Sequence, residues 1–383
     1  MARHLIRHYL PCADGLAMET RALTMPRKLA ISLMAAAVLV SAPLSHASPA
    51  LVGQVPAPQS SGNQPDVEAL VERAGKLDAE GKYGEAAAIW RQILAIEEKS
   101  LGPDHPEVAI SLNNLADLLR EQGQYTSAEP LYRRSLAIKE KNLGENHPDI
   151  AISLNNLAVL LFSQQQYVAS EHLFRRTLDI VQKDLGSNHP QVASILNNLA
   201  VLFIAQGKSS EAEPLYRRSI AISEKALGPD HPDVATSLSN LAGLLRDQGQ
   251  YAAAEPLYRR SLDIFEKAFV PDHPYVATSL NNIAGLLYEQ GKTDSSEHLY
   301  RRSLDIREKN LGPDHPDVAI SLNNLAVLLR AKGDYATAET LHRRSLAIAE
   351  KALGQDHPYV ATSLKEALAN TPLSTQKRLN CSI

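Results

Sequence analysis

The sequence contains little cysteine and few aromatic residues. Only two of its 383 residues are cysteine, Cys12 and Cys381, and Phe, Trp and Tyr together make up 5%. Because these cysteines lie near the two ends, no disulfide can stabilise the central part of the chain, which must rely on packing alone. The shortage of aromatic residues is typical of helices that pack through Leu, Ile, Val and Ala.

Sequence motifs of catalysis and cofactor binding are also missing. The chain has no P-loop, GxSxG, HExxH or CxxC motif, and no acidic residue stands out as a candidate acid or base. The formal net charge is −4, which argues against nucleic acid and anionic lipid as partners. The sequence therefore predicts a protein that is not an enzyme and that carries no cofactor or metal.

Long apolar runs are absent except near the N-terminus. There, Met25-Pro26-Arg27-Lys28 precedes the apolar run 29–40, and Ser45-His46-Ala47 follows it. A basic start, a short apolar core and a small-x-Ala site are the three parts of a secretory signal peptide. We predict a cleaved signal at 1–47, with Met25 as an alternative start. A periplasmic or secreted bacterial protein follows, without membrane insertion after cleavage.

The rest of the chain is a repeat. A DHP or NHP triplet recurs every 42 residues and places histidines at His105, His147, His189, His231, His273, His315 and His357. Such a fixed period predicts a stacked array in which each unit buries its apolar face against its neighbours. The array is predicted over 63–370, as seven helix pairs and a capping helix. A flexible leader at 48–62 precedes it, and a loose tail at 371–383 follows it.

Two helices are predicted in each unit. In the unit that begins at His105, apolar residues recur every three or four positions from Val108 to Leu119, and again from Ala128 to Ile138. Proline after the histidine suits the first helical position, so His105 is predicted to be the N-cap. Gly144 suits the position after the second helix. Phe269-Val270 replaces the usual Leu-Gly, which predicts a less regular helix end there.

The unit resembles the tetratricopeptide repeat. The resemblance is carried by Ala116 and Ala128, the Gly123-Gln124-Tyr125 turn, Tyr132 and the LNNLA segment. The 42-residue period with LNNLA is similar to repeats of the kinesin light chain type. This resemblance implies an all-α solenoid, a right-handed superhelix of antiparallel helix pairs whose first helices line a concave groove for peptides. Ser135 departs from the family, which usually has alanine at that position.

The histidines and the arginine pairs are interpreted as structural. One histidine per unit cannot supply the three or four ligands of a zinc site, because neighbouring helices are about 8–10 Å apart. The pairs such as Arg133-Arg134 follow a glutamate four residues earlier, which predicts a salt-bridged face on the second helix.

The asparagines are the candidate binding residues. At 100° per residue, the LNNLA asparagines fall on the side of the first helix that is opposite to its packed face. Their amides can bind a peptide backbone regardless of its sequence. We expect the first asparagine of each pair to be exposed and the second to be partly structural. The first series is Asn113, Asn155, Asn197, Asn281 and Asn323, with Ser239 in one unit; the second is Asn114, Asn156, Asn198, Asn240, Asn282 and Asn324.

Selectivity is predicted at positions of the first helix that vary between units. Phe162, Val201 and Ile204 form a candidate apolar patch for a partner, although packing between units could equally absorb them. The predicted function is a non-catalytic scaffold that binds a protein or peptide in the groove. The alternative is a structural or self-assembling repeat protein of the cell envelope.

Overall fold

The computed structural model describes residues 67–353 as seven antiparallel helix pairs, one pair for each unit. The predicted all-α solenoid is confirmed. The signal, the leader, the capping helix and the tail lie outside the described residues. The helices are α1 Val67–Ala79, α2 Tyr83–Leu101, α3 Pro106–Glu121, α4 Tyr125–Leu143, α5 Ile150–Ser163, α6 Tyr167–Leu185, α7 Pro190–Ala205, α8 Ser209–Leu227, α9 Pro232–Asp247, α10 Tyr251–Ala268, α11 Pro274–Glu289, α12 Thr293–Leu311, α13 Pro316–Ala331 and α14 Tyr335–Leu353.

We number the units 1–7 by their helix pairs, so that α1 and α2 form unit 1 and α13 and α14 form unit 7. The repeated histidine begins the first helix of units 2, 4, 5, 6 and 7. His105 has extended backbone, and its Nδ1 accepts a hydrogen bond from the Glu107 amide at 3.3 Å. The predicted N-cap is confirmed in these five units. Unit 3 differs, since α5 begins only at Ile150, with Asp149 as N-cap.

Glycine ends most of the second helices. Gly144 has a φ of 93°, which only glycine adopts without strain, and its amide donates to the Glu140 carbonyl. In unit 5, Val270 stands at this position, and α10 ends one residue earlier, at Ala268, with Phe269 as its C-cap at a φ of −130°. The Phe269 ring stacks on the His273 ring, with centroids 4.1 Å apart. Both helix-end predictions are confirmed.

One turn between the two helices of a pair is strained. Units 2 and 4–7 have glycine at this turn with a φ between 71° and 90°, whereas unit 3 has Gln165 with a φ of 62°. A side chain in this left-handed conformation costs about 1–2 kcal/mol because Cβ approaches the following carbonyl oxygen.

Replacing Gln165 by glycine is expected to stabilise the protein by about 0.5–1 kcal/mol, because relief of strain exceeds the greater backbone entropy of glycine in the unfolded chain. Equilibrium urea unfolding measures the change. Gly207→Gln is the matched reverse, since Gly207 has the same kind of φ and open space around it. It should destabilise by a similar amount. An unchanged free energy of unfolding for Gln165→Gly would show that the turn is not strained.

The two helices of a unit pack through small and aromatic residues. Ala116 and Ala128 have no exposed surface and allow close approach, and Tyr132 is fully buried beside them. Ser135, which departs from the family alanine, donates through Oγ to the Ala109 carbonyl at 2.6 Å. The same serine bond joins the two helices in units 4–7. The polar departure is therefore satisfied within the core.

The arginine pairs bind glutamates of two units. Arg133 forms the predicted ion pair with Glu129 of its own helix, Nη2 to Oε1 at 2.8 Å. Arg134 instead reaches the preceding unit, where its Nη1 lies 2.6 Å from Glu98 Oε1. The second arginine makes the same contact in units 3, 5, 6 and 7. The salt-bridged face is confirmed, although such exposed pairs contribute little stability each.

The first helices line the inner side of the curved array. Helix α3 contacts α5, α7 contacts α9, α9 contacts α11, and α11 contacts α13. Among the described residues, no two second helices of neighbouring units pack as closely. Because the inner path of a curved stack is the shorter one, the side with closer helices is concave. The outward positions of the first helices therefore form the floor of a groove.

Units 1 and 7 meet across one turn of the superhelix. The turn between α1 and α2 lies against the N-cap of α13, where a Cβ on Gly81 would be 2.9 Å from His315 Cδ2. No side chain other than hydrogen fits at Gly81 without a shift of the histidine. Burial lowers the pKa of His315. The array thus returns to its own start within the described residues.

Candidate functional site

The asparagines form a ladder of hydrogen bonds along the groove floor. The Nδ2 of the second asparagine in one unit donates to the Oδ1 of the first asparagine in the preceding unit, 43 residues earlier. In unit 5 the acceptor is the Ser239 hydroxyl instead. The bonds are Asn156 to Asn113 at 3.3 Å, Asn198 to Asn155 at 3.2 Å, Asn240 to Asn197 at 2.9 Å, Asn282 to Ser239 at 3.1 Å and Asn324 to Asn281 at 2.9 Å.

The expected division between the two asparagines is partly wrong. The first asparagine was expected to be exposed, but Asn113, Asn197 and Asn281 are only 9%, 4% and 5% exposed. Asn155 and Asn323 are half-buried. The structural role of the second asparagine is confirmed at Asn156, Asn198, Asn240, Asn282 and Asn324 by their bonds to the preceding unit. Buried amides need partners, and here each member of a pair is the partner of the next unit.

The ladder changes at its two ends. Asn114 has no preceding asparagine, because unit 1 carries Val71 at that place. In unit 7, Asn323 Oδ1 lies 2.9 Å from Nδ1 of His342, which replaces the Tyr132 of unit 2 on the second helix. His342 is 2% exposed, and burial lowers its pKa to about 4.

Two of the three patch residues belong to the core. Phe162 is 8% exposed and packs on the ring of Tyr167, and Val201 is 4% exposed. Both lie in the main hydrophobic cluster, whereas Ile204 is only partly buried against it. Packing between units therefore absorbs most of this patch. Ile204 remains as its partly exposed apolar side chain in the groove.

Unit 2 has a charged cluster on the groove floor. The Tyr132 hydroxyl, from the second helix, donates to the Asp117 carboxylate of the first. Arg120 Nη2 lies 2.5 Å from Glu121 Oε1 and 4.0 Å from Asp117 Oδ1. Burial raises the pKa of Asp117 to about 6, and Arg120 and Tyr132 limit the rise. The sequence shows that the residue at the position of Asp117 varies between units. It does not show that a tyrosine of the second helix contacts this residue.

Unit 5 has a buried arginine at the position of Arg120. Arg246 is 6% exposed, and its Nη2 donates to Asp247 Oδ1 at 2.9 Å. Its Nε also lies 3.9 Å from Glu289 Oε1 of unit 6. Burial raises the pKa of Asp247, although Arg246 opposes the rise. Two carboxylates thus neutralise one guanidinium beside the groove.

Metal ligands do not cluster in the described part of the chain. No group of three potential metal ligands occurs among residues 67–353. Over the same residues, no helix combines the length and the apolar character needed to cross a membrane.

The chain belongs to the tetratricopeptide repeat family. The sequence model of the tetratricopeptide repeat family matches residues 68–141, 149–225, 211–267, 233–309, 275–351 and 317–368. The predicted family is confirmed, and the last match extends beyond α14 into the region of the predicted capping helix. The family fold is that of a protein-interaction scaffold. No protein of curated function matches the chain.

Solved structures with a similar fold include repeat proteins of the kinesin light chain type. BtubC (BKLC) from P. vanneervenii is 24% identical over 62% of this chain and 93% of its own, with a TM-score of 0.46. A putative kinesin light chain from Podosopora anserina, with nearly identical repeats, is 28% identical over 53% and 97%, with a TM-score of 0.45. The apo form of RapI is 16% identical over 82% and 84%, with a TM-score of 0.50. The likeness is one of fold.

Proposed function

We propose that the protein is a non-catalytic scaffold that binds a peptide or partner segment in the groove lined by its first helices. The supporting observation is that variation between units on the groove floor is concentrated at two positions of the first helix, those of Asp117 and Arg120 in unit 2. The packed positions and the ladder repeat from unit to unit, whereas the row of Arg120 becomes Phe162, Ile204, Arg246, Tyr288 and Arg330 in units 3–7. Phe162 and Arg246 are buried, but the other residues at this position are at least partly exposed to the groove. A concave surface that recognises an extended ligand uses such differences between units.

A substitution taken from the protein's own units tests this proposal. Ile204→Arg places in unit 4 the residue that units 2, 5 and 7 already carry there, so the fold should tolerate it. Peptides selected from a displayed library of random linear peptides on the mature wild-type chain should bind this variant about tenfold more weakly or worse. Fluorescence anisotropy with labelled copies of the selected peptides measures the change.

Val168→Arg is the matched control for Ile204→Arg. Val168 is 84% exposed on the second helix of unit 3, away from the groove floor, and also gains one positive charge. Selected peptides should bind this variant as they bind the wild type. Equal binding to Ile204→Arg and to the wild type would place the peptides outside the groove and contradict the proposal.

We also propose that the protein is exported. The support is the basic, apolar and small-residue order of 25–47. Expression of the full chain in a bacterium should yield periplasmic protein whose N-terminal residue is Ser48, as read by Edman degradation. Recovery of an intact N-terminus in the cytoplasm would contradict cleavage and export.

A further inference from the structure

Units 5 and 6 leave gaps in the groove floor. Gly243 and Gly285 stand inside α9 and α11 at the position of Asp117 in unit 2, where units 3, 4 and 7 have valine. Glycine in a helix interior is destabilising relative to alanine. These glycines therefore reduce helix stability. What they provide in return is space on the groove floor, where a larger side chain would otherwise stand.

Two tyrosine hydroxyls face that space. A Cβ on Gly243 would lie 3.4 Å from the Tyr258 hydroxyl, and one on Gly285 would lie 3.4 Å from the Tyr300 hydroxyl and 3.5 Å from Arg246 Nη1. Tyr258 and Tyr300 are only 2% and 4% exposed. Within residues 67–353, neither hydroxyl has a hydrogen-bond partner. Both hydroxyls therefore remain available as donors to a molecule bound in the groove.

Unit 2 shows which kind of acceptor fits this position. There the Asp117 carboxylate accepts from the Tyr132 hydroxyl, close to Arg120. Gly243, Arg246 and Tyr258 occupy the same three positions in unit 5, which therefore repeats the unit 2 cluster without its acceptor. Ser239 also replaces the larger asparagine one helical turn away and widens the space. An oxygen from a bound molecule can take the place of the Asp117 carboxylate.

We propose that this glycine niche, formed by Gly243, Arg246, Tyr258, Gly285 and Tyr300, binds a side-chain carboxamide of the partner, from Asn or Gln. The proposal rests on peptide binding in the groove. Tyr258, Tyr300 and Arg246 Nη1 offer donors to the carbonyl oxygen. Because Asp247 and Glu289 already neutralise Arg246, a further carboxylate is disfavoured, whereas a neutral amide is not. The amide NH₂ can donate to these same carboxylates.

The test uses random peptides displayed against the mature wild-type chain. Peptides that depend on the groove should be enriched in Asn or Gln at one position. Changing that residue to Leu should weaken binding about tenfold, the value of one lost hydrogen-bonded group. In the double variant Gly243→Ala with Gly285→Ala, this tenfold preference should disappear. The melting temperature of the variant should rise by a few degrees, because alanine favours the helix. Higher stability with lost preference excludes misfolding as the cause.

Two further variants sharpen the comparison. Gly75→Ala is the matched control, since Gly75 holds the same position in unit 1 with nothing within 4 Å of its absent Cβ. It should leave the preference intact. Tyr258→Phe removes only the hydroxyl and should reduce the preference without lowering stability.

Three results would contradict carboxamide binding in the glycine niche. These are no enrichment of Asn or Gln, enrichment of Asp or Glu, and a preference for Asn or Gln that survives in the double glycine variant. Failure of the groove itself looks different. In that case the selected peptides bind Ile204→Arg as tightly as they bind the wild type, and no niche variant changes their binding.

Discussion

Lowering the pH from about 7 to about 4.5 is expected to remove about 2 kcal/mol of stability through His342 alone. His342 is buried at 2% exposure, and burial lowers its pKa from 6.5 to about 4. In the unfolded chain the imidazole takes up its proton near pH 6.5, but in the folded protein it does so only near pH 4. The contribution of His342 to the stability of the folded protein is therefore complete above pH 6.5. This contribution is lost as the pH falls from 6.5 to about 4.

The variant His342→Tyr isolates this effect. Units 2, 4, 5 and 6 carry tyrosine at the same position, so the fold is expected to accommodate this substitution. The free energy of urea unfolding at the two pH values should fall by about 2 kcal/mol less in the variant than in the wild type. His298→Tyr, at an exposed site on α12, should keep the wild-type pH dependence. Equal pH dependence in wild type and His342→Tyr would refute the depressed pKa.

Replacing Asn197 by alanine is expected to destabilise the protein by about 1–3 kcal/mol, because it removes a buried side chain and leaves a partly buried donor without its partner. Asn197 is 4% exposed, and its Oδ1 accepts from Asn240 Nδ2 at 2.9 Å. The substitution leaves that amide of unit 5 without its acceptor. Chemical denaturation at neutral pH measures the loss.

Asn114→Ala is the control for the ladder, because Asn114 is half-buried and donates to no preceding unit. It should change stability by no more than about 0.5 kcal/mol. The double variant Asn197→Ala with Asn240→Ala should be less destabilised than the sum of the two single variants. Additive single effects would mean that the 2.9 Å contact between the two amides contributes nothing to the stack.

The asparagines show how much of the candidate site can be predicted from the sequence. Their place on the far side of the first helix follows from the helical period, and the structure puts them on the concave side. Their burial could not be predicted in the same way, because it depends on how closely neighbouring first helices approach. One signal was nevertheless present. Each donor lies 43 residues after an asparagine or a serine, a spacing of one unit plus one residue.

The end of α10 in unit 5 shows the opposite case, in which the local sequence was enough. Phe269 in place of leucine and Val270 in place of glycine predicted an irregular end, and α10 is one residue shorter than the other second helices of units 1–7. Such ends depend on the φ that a residue can adopt and on bonds within a few residues. The strained turn at Gln165 is equally local, and it is visible in the sequence as a missing glycine.

By itself the sequence determined the period, the helix pairs, the histidine N-caps, the glycine ends and the repeat family, because each depends on contacts within one unit or between identical neighbours. Tertiary structure alone decided three features. These are the burial of the amide ladder, the reach of Tyr258 and Tyr300 into the gaps left by glycine, and the meeting of Gly81 with His315. The second depends on how the two helices of one unit pack, whereas the first and the third depend on the small rotation between successive units. That rotation accumulates over the array and is encoded in no single repeat.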